Sequence, residues 1–150
     1  MFLRALVAFL ACPGMVALLI PWWIAWNRSP ADHPWFSIGL FVLVAGLAML
    51  LWCVRDFYVA GKGTLAPWAP PKNLVVVGLY RYSRNPMYVA VTLMLAGWSL
   101  CFWSRTLAIY TCFVIVAFHL RVLFGEEPWL ARTHGAAWEE YKSKVPRWLI

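Results

Sequence analysis

The chain has 150 residues, 63% of them hydrophobic and only 13% charged. An ordinary soluble domain is roughly 45–50% apolar, so this composition argues against one and for a protein whose solvent is a bilayer. The net charge of +7 does not point to nucleic acid, because the basic residues gather in loops between apolar segments.

A bilayer-crossing helix needs about 20 mainly apolar residues. The segments Ala5–Trp26, Trp35–Val54, Met87–Trp103 and Leu107–Phe124 meet or approach that length. The sequence therefore predicts an all-α membrane protein with four transmembrane helices in a single domain, residues 1–150. The first span is too long, and lacks the small-residue site, for a cleaved signal peptide. Pro13-Gly14 and Pro21 should kink it, with buried neighbours meeting the freed backbone groups. Trp22, Trp23 and Trp26 stand across a short turn, Asn27–Pro34, from Trp35 and Phe36, the pattern of an aromatic belt at one membrane interface.

The long loop after the second span carries Arg55, Lys62, Lys72, Arg81 and Arg84. Arg121, Arg132, Lys142, Lys144 and Arg147 lie at or beyond the end of the fourth span, Arg4 precedes the first, and only Arg28 and Arg105 fall in the opposite loops. Positive-inside bias then places both termini and the long loop in the cytoplasm, with a prokaryotic inner membrane as the expected setting and anionic lipid head groups as neighbours. Within the loop, Gly61, Gly63, Pro67, Pro70 and Pro71 forbid a continuous helix. Lys62-Gly63-Thr64 lacks the full spacing of a phosphate loop. Leu74–Val77 is too short to span and is expected to lie as an extended strip over the helix ends. The cysteines Cys12, Cys53, Cys101 and Cys112 all fall in apolar spans without metal-like spacing, and His33, His119 and His134 are dispersed. They predict packing and no metal site.

Only Ser104–Thr106 separates the last two spans, so these must form a tight hairpin. That topology alone brings Arg84-Asn85-Pro86-Met87-Tyr88, where span three opens, close to Glu126-Glu127, just past span four. Asn is a favoured N-cap and Pro a favoured first helical residue. With Arg84 alongside, the helix start suits a carboxylate, and Tyr88 adds a ring and a hydroxyl. Carboxylates at the end of span four would oppose its macrodipole. They imply either a ligand bearing hydroxyls or positive charge, or ion pairs to Arg84 and Arg81. Beyond them, Trp138, Tyr141 and Val145 recur at helical spacing opposite Glu139, Glu140, Lys142 and Lys144. This predicts a C-terminal amphipathic helix, after Gly135, that caps the hairpin.

A ligand with a carboxylate, hydroxyls, an aromatic base and a cationic centre matches these groups, and S-adenosylmethionine has all four. The run Gly78-Leu79-Tyr80-Arg81-Tyr82-Ser83-Arg84-Asn85-Pro86-Met87-Tyr88 resembles the signature of integral-membrane methyltransferases. Glu126-Glu127 and the series Gly135, Trp138, Tyr141, Val145-Pro146-Arg147 extend the likeness, which covers roughly residues 61–148. The family is that of the isoprenylcysteine carboxyl methyltransferases and phospholipid N-methyltransferases. The resemblance implies a pocket for S-adenosylmethionine closed by the cytoplasmic loop, the start of span three and the C-terminal segment. Carried over residue by residue, it implies cofactor contacts from Lys72, Asn73, Leu74, Val75, Tyr80, Asn85, Pro86, Met87, Tyr88 and Glu126. Arg84, Arg121, Glu126 and Glu127 are the candidates for work on the reacting groups. In the isoprenylcysteine branch a histidine usually stands at Asn85, and a substrate arginine stands at Val122, one residue from Arg121. The expected acceptor is therefore lipophilic, drawn from the bilayer, and methylated on an amine, thiol or other uncharged group. Rival readings are a non-catalytic membrane subunit and a nucleotide-binding protein built on Lys62–Thr64.

Overall fold

The computed structural model describes residues 10–29, 35–61 and 73–149, all helices and turns with no strand among them. Expectations placed on Arg4, on residues 5–9, on His33 and Pro34, and on Lys62–Thr64, Pro67, Pro70, Pro71 and Lys72 lie outside the described residues, as does the side chain of Cys12.

The chain enters as a wide π-helical segment, Leu10–Leu19, and tightens into α1, Ile20–Ala25. Pro21 has no N–H, so the carbonyls of Val16 and Ala17 lose the donor that a π or α turn would offer them. Side chains from the next helices take its place. Tyr110 Oη donates to the Val16 carbonyl (3.1 Å) and Trp98 Nε1 to that of Ala17 (3.0 Å). The proline irregularity thus docks this segment onto α3, Pro86–Phe102, and α4, Arg105–Arg121.

Helix α2, Phe36–Val59, continues past the expected end at Val54. Its glycines set its distance from α3. A Cβ added at Gly39 would stand 2.6 Å from the Cys101 backbone nitrogen, one at Gly46 2.8 Å from that of Met94, and one at Gly97 of α3 2.6 Å from that of Leu43. The two helices therefore meet backbone to backbone, the small-residue packing that serves where apolar burial gives helices no mutual attraction. Leu50, Ala90, Val91, Met94, Leu95 and Val114 fill the core beside this contact. Large apolar side chains face outward, with Phe41 74%, Ile109 70% and Phe113 69% exposed. Such a surface suits lipid rather than water.

The α3–α4 turn is tighter than the sequence predicts. Trp103 takes a left-handed conformation (φ 44°, ψ 45°), and Ser104 caps α4 by accepting from the Leu107 N–H, so Arg105 is already helical. The larger difference is at the far end. Helix α4 does not stop near Phe124; a π turn, Val122–Glu126, carries it into α5, Glu127–His134. The continuous helix of 30 residues, Arg105–His134, is about 45 Å long, against a hydrocarbon core of about 30 Å. Glu126 and Glu127 thus lie inside a continuous helix and do not oppose a C-terminal dipole. By length and composition, Phe36–Val59 and Arg105–His134 are able to cross a membrane, whereas Pro13–Ala25 and Pro86–Phe102 are shorter apolar helices.

Gly135 (φ 49°) breaks the chain between α5 and α6, Ala136–Lys144. As the helical spacing predicts, Trp138, Tyr141 and Val145 are buried, packing with Leu74 and Leu130, while Glu139, Glu140, Lys142 and Lys144 stay exposed. Leu74–Val77 forms neither helix nor strand, and Val77 at its end is extended. Asn73 ties its start to the end of α2, its backbone N–H donating to the Gly61 carbonyl and its amide to that of Ala60. Val75 is buried with Cys53 and Tyr80.

Candidate active site

A small cleft of about 80 Å³, partly open to solvent, lies where the 73–75 strip, the start of α3, the π turn and α6 converge. Of the residues singled out from the sequence, Asn73, Leu74, Val75, Tyr80, Arg84, Asn85, Met87, Tyr88 and Glu126 line it. Pro86 is buried as the first residue of α3 without lining the cleft. Lys72 lies outside the described residues. Phe57, Leu130, Trp138 and Tyr141 also line the cleft and were not assigned to it from sequence. The spacing of Trp138 and Tyr141 marked them as an inward face, which was the available signal. Nothing in the sequence around Phe57 and Leu130 distinguishes them from lipid-facing neighbours.

Two polar clusters bound the cleft. In the first, Arg84 Nη1 donates to Glu127 Oε1 (2.8 Å), and Arg147 forks onto the same carboxylate, Nε to Oε1 (2.8 Å) and Nη2 to Oε2 (2.9 Å). The Arg84 side chain is only 9% exposed, and its Nε is buried without a hydrogen-bond partner. Its guanidinium also lies over the Trp138 ring, 5.5 Å from the centroid, within cation–π range. Burial draws the Arg84 pKa below its ordinary value, while the Glu127 charge works the other way; arginine nonetheless stays protonated. Two guanidinium groups share one carboxylate here, leaving an excess positive charge. Glu127 belongs to this pairing and does not line the cleft.

In the second cluster, Tyr88 Oη donates to Glu126 Oε1. Arg121 Nε donates to the same oxygen (2.9 Å) and to Tyr88 Oη (3.1 Å). Tyr88 is wedged against Phe118, with ring centroids 4.4 Å apart. The Arg121 side chain is 53% exposed, so its pair with Glu126 contributes less than the part-buried Tyr88 link. The π turn sets Glu126 opposite Tyr88, in keeping with the frequent placement of such turns at functional sites.

Asn85 differs from the sequence expectation. It precedes α3, but its side chain does not cap the helix. The amide nitrogen donates instead to the Arg147 carbonyl (3.0 Å), while Ser83 Oγ accepts from the Asn85 backbone N–H (3.2 Å) and donates to the same Arg147 carbonyl (3.3 Å). The Arg84 N–H donates to the Pro146 carbonyl (2.9 Å). A further tie holds α6, with Tyr141 Oη donating to the Tyr80 carbonyl at 2.7 Å. Burial pushes the Tyr141 hydroxyl up to about 12, against a lowering by Arg84, so it stays protonated at neutral pH. Among the described residues no group of His, Cys, Asp and Glu is arranged to hold a metal.

Two helices long and apolar enough to cross a bilayer thus flank an aromatic-lined polar cleft. A family model for phospholipid methyltransferases matches residues 35–137. The chain belongs to that family, within the integral-membrane methyltransferases. No curated protein and no solved structure matches the chain.

Proposed function

We propose that this protein transfers a methyl group from S-adenosylmethionine to a lipophilic acceptor at the cytoplasmic border of the membrane. The observation that carries the proposal is the pairing, in one cleft, of a buried arginine nitrogen without a partner with a carboxylate held by Tyr88 and Arg121. The donor set fits the cofactor. Arg84 suits its carboxylate, Asn85 and Glu126 suit its ammonium group, and Tyr88, Trp138, Leu74 and Val75 supply apolar walls for the nucleoside. When bound, the sulfonium supplies a methyl group that is already activated. The protein's work is then to hold donor and acceptor in line, which is worth as much as ~7–11 kcal/mol. Glu126 is the carboxylate at hand to take a proton from an amine acceptor. Affinity for the cofactor or its demethylated product should be in the micromolar range, about −8 kcal/mol.

The proposal includes a single domain over residues 1–150 with four spans and both termini cytoplasmic, as the basic residues favour. It also includes an acceptor entering sideways from the bilayer, along the exposed apolar face that Leu120 and Phe124 continue beside Arg121. An amine, thiol or other uncharged group is favoured over a prenylcysteine carboxylate. Val122, at the position of the isoprenylcysteine branch's substrate arginine, is fully buried, and Arg121 is already engaged by Glu126. The test is to incubate membranes containing the protein with methyl-labelled S-adenosylmethionine and identify the labelled product by mass spectrometry. A labelled lipid that depends on the intact protein is expected. Absence of any labelled product, together with no binding of S-adenosylhomocysteine, would favour a non-catalytic subunit.

A further inference from the structure

We infer that Arg147 is a positioning residue that gives the cleft its polarity toward the amino-acid end of the donor; this rests on the cofactor reading above. The family resemblance reaches Val145-Pro146-Arg147 but assigns Arg147 no role, so the inference is argued from the geometry around it.

Arg147 acts through its main chain and its side chain together. Its carbonyl, 3.0 Å from Asn85 Nδ2, has only lone pairs to offer. The half of the Asn85 amide that faces it must therefore be the NH2, and the oxygen is the half left over. No described residue donates to that oxygen, and Asn85 lines the cleft. The cleft is thereby given an acceptor. The Arg147 guanidinium meanwhile forks onto Glu127, which ties down Arg84 through Nη1. Arg84 Nε remains buried and unpartnered, in a cluster with one positive charge in excess. Arg84 itself lines the cleft, so the excess positive charge there calls for an anion. A donor at Arg84 beside an acceptor at Asn85, with Glu126 as a second acceptor, matches a zwitterion, the carboxylate and ammonium of an amino acid. Both polarities are set from one position some sixty residues away in the chain.

The test compares two ligands by calorimetry on purified full-length protein. S-adenosylhomocysteine carries the amino-acid group; 5′-methylthioadenosine keeps the nucleoside and sulfur but lacks it. Arg147→Met should weaken S-adenosylhomocysteine about tenfold or more, the equivalent of one charged hydrogen bond, and leave 5′-methylthioadenosine within about twofold. Arg147→Lys, which keeps the charge but not the fork, should recover part of the loss. It also carries the comparison if Arg147→Met does not fold. Equal weakening of both ligands, or of neither, overturns the inference while leaving the methyltransferase reading in place. Failure of the unmodified protein to bind either ligand overturns that reading, and this inference with it.

Discussion

Replacing Glu126 with Gln keeps the size of the side chain and removes its charge. The carboxylate oxygen Oε1 accepts from both Tyr88 Oη and Arg121 Nε. Arg121 is about half exposed, and a solvated pair of this kind is worth about 0–1 kcal/mol. The Tyr88 link is more sheltered, and a neutral amide oxygen still accepts from it. The loss in folding stability should therefore stay near 1 kcal/mol. Toward a cationic or hydroxyl-bearing ligand the change is larger. A hydrogen bond to a charged group contributes about 1.5–3 kcal/mol, so the Kd for S-adenosylhomocysteine should rise roughly 10- to 150-fold. Glu139→Gln is the control, because that side chain is 64% exposed and faces only Lys142 at 3.6 Å. Calorimetry supplies the two dissociation constants and thermal unfolding checks the fold. A well-folded Glu126→Gln protein that binds like the unmodified one would remove Glu126 from the ligand and refute the reasoning.

Gly97→Val should destabilise by more than the 1–3 kcal/mol typical of overpacking, since its Cβ would meet the α2 backbone at 2.6 Å; Gly125→Ala, with nothing within 4 Å, should be neutral in the same unfolding assay. Tyr141 gives a pH signature. Its folded pKa is raised to about 12 from 10.0, so its contribution is fully present below about pH 10 and is lost as the pH climbs toward 12. The loss should reach on the order of 3 kcal/mol, and the alkaline limb of a stability titration should shrink in Tyr141→Phe. Single cysteines at Ser29 and Ser143 should label from opposite faces of sealed vesicles; labelling from one face would overturn the proposed topology. Efficient methyl-ester formation on a prenylcysteine analogue, abolished by Arg121→Ala, would reverse the preference for an uncharged acceptor.

The features legible in the sequence were local or topological. Asn85-Pro86 marked the start of α3, and a short turn forced its approach to Glu126. The apolar face of Trp138, Tyr141 and Val145 was legible from period alone. What escaped depended on partners distant in the chain. The Asn85 amide has a cap within reach, yet it turns to the Arg147 carbonyl, a choice set by how the C-terminal segment docks. An ion pair from the Glu126-Glu127 run to Arg84 is among the alternatives the sequence offers, and Glu127 makes it; the second claim of Arg147 on Glu127 was not visible. The continuation of α4 through Glu126 escaped because the apolar run ends at Phe124. Tertiary packing overrode that local signal.

The π turn at Val122–Glu126 makes this site sensitive to spacing rather than to residue identity. Successive residues of an α-helix are about 100° apart around its axis. Deleting Gly125 would let the wide turn close into regular helix, swinging either Glu126 or its surroundings by about that angle. The carboxylate, held opposite Tyr88 by the wide turn, would leave it, even though α5 beyond keeps its register because a π turn holds one residue more than an α turn. No functional group would have been removed. A one-residue gap here should therefore be as damaging as the loss of the glutamate, whereas many substitutions at Gly125 itself, which faces open space, should pass unnoticed. The length of this segment, more than its letters, is what inheritance has to preserve.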